Sequence, residues 1–169
     1  MKPTVYIETS FVSYLTARPS RDLVLAANQR LTSDWWRNDR QRFDLYTSGL
    51  VLTEAAVGDA TAAAERLDVL GSLPQLDAPP TAETLAGLLL RDAVLPASAA
   101  RDALHPAIAA VNGIDYLLTW NCTHLANAFL RDKIEQTCRE AGVAAPVICT
   151  PAELVDPERE PDAALEDEP

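Results

Sequence analysis

Three carboxylates and one amide stand where this chain would do chemistry if it folds as its apolar pattern suggests: Glu8, Glu54, Asp102 and Asn121. Glu8 closes the run Thr4-Val5-Tyr6-Ile7, and Glu54 follows the run 43–48 after a short turn. Asn121 closes the run 115–120, and Asp102 lies in the helical segment that feeds that run. Carboxylates gathered in one cleft repel each other unless a cation sits among them. Oxygen ligands suit a hard divalent ion, Mg²⁺ or Mn²⁺. Such an ion polarises a phosphodiester and lowers the pKa of a bound water. The other reading of the same residues is four unrelated polar groups at strand and helix ends. His105 lies three residues after Asp102 on the same helical face, where it could touch substrate or orient Asp102, or be a satisfied, partly buried histidine.

Whether these residues meet depends on the elements that carry them. Short β-branched and aromatic runs at 4–7, 43–48, 73–78, 115–120 and 145–149 read as strands, the third an edge strand because of Pro74 and Pro79-Pro80. Helical periodicity falls between them, over one or two turns from Phe11 and then over 20–39, 53–57, 60–71, 81–94, 98–112 and 123–141. Pro106 predicts a kink or a late helix start within a turn of itself, because the carbonyl of Asp102 loses its intrahelical donor. Alternating strands and helices predict parallel pairing through right-handed crossovers, with helices on both faces of one sheet. The ends of parallel strands share one edge, and ligands bind there where the strand order reverses. Residues 1–155 read as one domain.

The 169 residues carry 14 basic and 25 acidic side chains, a net charge of −11. Residues 156–169 hold −6 of it with three prolines, and read as a disordered acidic tail. The charge excludes a broad basic face for duplex DNA. No apolar run approaches the roughly 18 residues of a membrane span, and Lys2 meets Glu8 before any long apolar stretch, unlike a signal peptide. Cys122, Cys138 and Cys149 read as free thiols in a reducing compartment. Cys122 and His124 lack a second pair to complete a zinc site. Asp115, at the start of its strand, reads as a turn or pairing residue. Arg18, Arg21, Arg37, Arg40 and Arg42 are either a local positive rim or a solvated face.

The segments V5-Y-I-E-T-S10 with S13-Y-L15, L50-V-L-T-E54, D102-A-L-H105 and G113-I-D-Y-L-L-T-W-N-C-T-H-L125, in that order, resemble a PIN domain. More narrowly, the chain is similar to the toxins of VapBC-type toxin–antitoxin modules. The resemblance implies a three-layer α/β/α PIN-like fold on a five-stranded parallel sheet. It implies a cytoplasmic, Mg²⁺- or Mn²⁺-dependent endoribonuclease that leaves a 5′-phosphate and a 3′-hydroxyl, a homodimer, and a cognate antitoxin. Glu8, Glu54 and Asp102 match the family's three acids and would hold the metal. Asn121 falls where many members have a fourth acid, and Ser10 where a hydroxyl supports the first. Glu8 stands where Asp is usual, and Asn121 brings no charge. These departures leave an alternative, a degenerate PIN domain that binds RNA or a protein without cutting. A generic nucleotide-binding domain lacks its glycine-rich phosphate loop here. The adjacent Trp35 and Trp36 are read as packed against the core or a dimer partner, with stacking on RNA bases as the alternative.

Overall fold

A computed structural model describes residues 1–91 and 95–155. The expected end of the helix at 92–94 and the expected acidic tail, 156–169, lie outside the described residues. The strands are β1 (Thr4–Ile7), β2 (Asp44–Ser48), β3 (Gln75–Leu76), β4 (Tyr116–Leu118) and β5 (Val147–Cys149). They form one sheet in the order β3-β2-β1-β4-β5, and every pairing is parallel. The helices are α1 (Thr9–Thr16), α2 (Leu23–Asn38), α3 (Gly49–Ala55), α4 (Ala60–Gly71), α5 (Pro80–Arg91), α6 (Ala100–Val111) and α7 (Ala128–Glu140).

Successive residues of a strand face opposite sides of the sheet. In β1, Val5, Tyr6 and Ile7 are all fully buried, so both faces are covered, as a parallel sheet with helical crossovers requires. Tyr6 aligns with Tyr46 on one side and Leu117 on the other, which places β1 at the centre. The chain builds outward from β1 through β2 to β3, then returns to the other side of β1 for β4 and β5. The order therefore reverses between β1 and β4, and the crevice opens at their C-terminal ends. At the opposite edge, Asp115 Oδ2 accepts from both the amide and the hydroxyl of Thr4 at 2.8 Å, tying the two central strands together. Those bonds hold its carboxyl below the usual range.

Several boundaries differ from the sequence-based expectation for visible reasons. The helix after β2 begins at Gly49 rather than Thr53, because Ser48 caps it at once with its Oγ accepting from the Val51 amide. Pro106 does not delay α6, which runs unbroken from Ala100 to Val111 after a 3-10 turn at Ala97–Ala99. The last helix starts at Ala128 rather than near 123. The Asn121 carbonyl gathers the amides of Leu125 and Ala126 into a turn, and Asn127 caps the helix through Phe129 N. β3 has only two residues, at the sheet edge beside Pro74.

The core explains both tryptophans within one chain. Trp35 is 1% exposed, lies edge-on to Phe11, stacks on Phe43, and donates from Nε1 to the Leu154 carbonyl at 2.6 Å. Trp36 is partly buried against Phe11, with the Arg40 guanidinium 4.6 Å from its ring centre. The three cysteines are free; burial first pushes the Cys138 thiol to about 11 and that of Cys149 to about 12, whereas Cys122 is exposed. No helix among the described residues is long and apolar enough to cross a membrane. Replacing Trp35 by Ala should lower the unfolding free energy by about 3–5 kcal/mol, read from the urea midpoint at unchanged slope. Trp36→Ala should cost distinctly less, and an equal loss for the two would contradict this division of the core.

Candidate active site

Glu8 is the residue at which β1 becomes α1. It occupies the N-cap of α1 in an extended conformation, and its Oε2 accepts from the Ser10 amide at 3.0 Å. The same oxygen accepts from the Ser10 hydroxyl in a short bond, and from Thr119 Oγ1, just beyond β4, at 2.7 Å. Three donors and a helix N-terminus thus stabilise the anion where the carboxylate is almost fully buried. Its other oxygen, Oε1, faces His105. Ser10 Oγ also accepts from the Trp120 amide at 2.7 Å, so one hydroxyl joins the loops that follow β1 and β4.

Glu54 lies in the last turn of α3, and Thr9 Oγ1 donates a short hydrogen bond to its Oε2. His105 projects from α6 with its side chain 1% exposed. Its Nε2 stands 3.3 Å from Glu54 Oε2 and 3.9 Å from Glu8 Oε1. Its Nδ1 is 3.1 Å from the Tyr6 hydroxyl, which meets Ser48 Oγ at 2.7 Å. Burial drives the Tyr6 phenol well above its ordinary range. Burial works against a charge on His105, but its hydrogen bond to Glu54 and the charges of Glu8, Glu54 and Asp102 outweigh it and raise its pKa. Burial likewise opposes the Glu54 anion, and the His105 hydrogen bond and charge, with Thr9 and Arg101, outweigh that and lower its pKa.

Glu8, Glu54 and His105 each present a ligand atom within 4.8 Å of the others, which makes them the group suited to hold a metal ion among the described residues. Two carboxylate oxygens and one imidazole nitrogen are a donor set that a divalent cation fits. Asp102 lies in the first turn of α6, and its Oδ2 meets His124 Nδ1 at 2.6 Å. It is therefore not in that triplet, although its charge reaches His105. Asn121 turns its side-chain oxygen into its own loop, accepting from the His124 amide at 3.1 Å. Arg40 and Arg42 belong to the 3-10 turn before β2, at the sheet edge away from Glu8, and Arg37 pairs with Asp34.

Sequence reasoning missed Thr9, Thr119, Tyr6, Ser48 and Arg101. The polar letters that close β1 and β4, E-T-S and T-W-N, carried a signal for the two threonines. Tyr6 and Ser48 read only as strand residues, because their hydroxyls matter through a histidine 99 residues beyond the first and 57 beyond the second.

The fold is that of the VapC-type PIN-domain proteins. Mycobacterium tuberculosis VapC20, a sarcin–ricin loop cleaving toxin, superposes with a TM-score of 0.54 at 18% identity, over 72% of this chain and 92% of its own. VapBC2 from Rickettsia felis, solved bound to a DNA fragment from their promoter, superposes with a TM-score of 0.50 at 15% identity, over 87% of this chain and 98% of its own. No protein-family model matches the sequence, and no curated protein matches it.

The ionised pair sets a pH dependence for the metal-free protein. A raised histidine pKa contributes stability that is complete below the unfolded value, about 6.5, and is lost as pH rises through the folded one. A depressed Glu pKa contributes stability present above the unfolded value, about 4.3, and lost as pH falls through the folded one. With chelator present, the stability of the wild type relative to Glu54→Gln should be greatest at about pH 6, between the two unfolded values, and shrink as the pH rises through the raised histidine pKa. A difference that stays flat or grows over that range in urea titrations would show that His105 and Glu54 are not so coupled.

Proposed function

We propose that the chain is a divalent-metal-dependent endoribonuclease, the toxin of a type II toxin–antitoxin module. The observation that carries this reading is the meeting of Glu8, Glu54 and His105 at the order-reversal crevice of a VapC-like sheet. Asp102, in the first turn of α6 and paired with His124, adds its negative charge to the site from outside the triplet. When bound, the ion supplies Lewis-acid polarisation of a phosphodiester and activation of the attacking water.

The chain's own residues do the rest. Ser10 and Thr119 fix Glu8 by hydrogen bonds, and Thr9 fixes Glu54, so the acids need little rearrangement to hold an ion. His124, only partly buried, orients Asp102. Asn121 holds the loop that carries His124 and offers a neutral amide to substrate or water. Arg101 is exposed near Glu54 and offers a positive charge for an RNA phosphate. Contact with few phosphates is consistent with an acidic chain acting on RNA. The non-cleaving alternative gives no reason to keep two carboxylates so close around a buried imidazole.

The reading places the protein in the cytoplasm with RNA, as a homodimer that a cognate antitoxin inhibits. The two structural neighbours support a ribonuclease substrate and an antitoxin partner. A sarcin–ricin loop oligonucleotide is the first RNA to test. The purified chain, freed of any inhibitor, should cut RNA with Mg²⁺ or Mn²⁺ and stop on chelation. Glu8→Gln and Asp102→Asn should each slow cleavage by about 100-fold or more while the fold is kept, since several kcal/mol of charge stabilisation are removed. No metal-dependent cleavage of any RNA by the wild type, or Asp102→Asn cutting as fast as wild type, would refute the proposal.

A further inference from the structure

The crevice contains a nitrogen that an all-carboxylate metal site would not have. His105 is almost completely buried, and its Nε2 faces two carboxylates, Glu8 Oε1 at 3.9 Å and Glu54 Oε2 at 3.3 Å. Two donors bound to one ion at about 2.1 Å lie about 3.0 Å apart when adjacent and about 4.2 Å apart when opposite. The separations found fall between these limits. Protein atoms already stand at the spacing of ligands sharing an ion.

The far side of the ring is prepared for this. Nδ1 meets the Tyr6 hydroxyl, and that hydroxyl meets Ser48 Oγ. When Tyr6 donates to Ser48, its oxygen accepts from Nδ1–H, and the Nε2 lone pair faces the two carboxylates. When Ser48 donates to Tyr6 and Tyr6 to Nδ1, the ring proton sits on Nε2 and is offered to Glu54. The two arrangements are the two tautomers of the ring: passing between them takes the ring proton from Nδ1 to Nε2 as both hydroxyls reorient, and no heavy atom is displaced. A partner on the other ring nitrogen is what orients metal-binding histidines and sets their tautomer.

We propose that His105 Nε2 is a direct protein ligand of the divalent ion held by Glu8 and Glu54, that Tyr6 and Ser48 are its positioning residues, and that this nitrogen makes the site prefer Mn²⁺ to Mg²⁺. The proposal rests on reading the Glu8–Glu54 crevice as the metal site of the ribonuclease. Its chemistry is the difference between the ions: Mg²⁺ takes oxygen ligands in near-ideal octahedra, whereas imidazole suits the transition metals. Asp102 serves this site by its charge from the preceding turn of α6, tied to His124 rather than turned into the triplet.

The test uses the full chain, stripped with chelator and loaded with Mn²⁺ alone. Calorimetry measures Mn²⁺ and Mg²⁺ affinity separately, and pulsed electron paramagnetic resonance reads the nuclei bonded to Mn²⁺. The wild type should bind Mn²⁺ more tightly than Mg²⁺ and show nitrogen coupling from a coordinated imidazole. Uniform ¹⁵N labelling should convert that signal, and His105→Gln should abolish it. His105→Asp should lower the ratio of Mn²⁺ to Mg²⁺ affinity by about tenfold or more, and Tyr6→Phe should keep the nitrogen signal while weakening Mn²⁺ by about tenfold. The labelling comparison needs no variant and stands even if substitutions at this buried position fail to fold. Tight Mn²⁺ binding without nitrogen coupling overturns the role of His105 and leaves the metal-site reading standing. No binding of either ion overturns both.

Discussion

The closeness of two buried or half-buried carboxylates is the constraint around which this protein is arranged. Glu8 and Glu54 come from different crossovers and converge on one imidazole, with Asp102 adding a third negative charge from the preceding turn of α6. Such a group is unfavourable unless each anion is hydrogen-bonded and the sum is offset by positive charge. The chain supplies the hydrogen bonds from Thr9, Ser10 and Thr119, and part of the positive charge from His105. A structural role alone gives no cause to assemble repelling groups at this point; a site for a cation does.

The sheet makes the convergence possible. Because the strand order reverses between β1 and β4, the segments leaving them diverge and open a crevice, and the caps that end each strand become the floor of the site. Glu8 is both the N-cap of α1 and a candidate ligand. Ser48 is both the N-cap of α3 and the end of the hydroxyl chain behind His105. Local signals that start helices and the chemistry of the crevice thus share residues. Loss of a cap here would disturb fold and site together.

Much of this is legible in the amino-acid sequence. The five strands, their parallel pairing and the position of Glu8 and Glu54 at one edge follow from alternating apolar runs and the polar residues that stop them. The rest is set by contacts distant in sequence. His105 looks like an ordinary helical histidine because Tyr6 and Ser48, which hold it, lie 99 and 57 residues earlier. Asp102 reads as an acid of the cleft, but its pairing with His124 depends on the turn that Asn121 gathers, a geometry no periodicity encodes. The tryptophans read as packed against the core or a dimer partner; Phe11, Phe43 and the Leu154 carbonyl enclose Trp35 within the chain, and Trp36 lies partly buried against Phe11 and Arg40, a division that adjacent identical residues cannot announce.

The central claim, that the crevice is built for a divalent cation, is tested most directly by stability rather than by activity. An ion bound only by the folded state at about 100 times its dissociation constant adds about 2.7 kcal/mol to the unfolding free energy. Thermal unfolding of the stripped wild type should move up accordingly as Mn²⁺ is added. The combined Glu8→Gln, Glu54→Gln variant should be insensitive to Mn²⁺ over the same range. A wild type whose melting temperature ignores Mn²⁺, or a double variant that responds as fully as the wild type, would contradict the account.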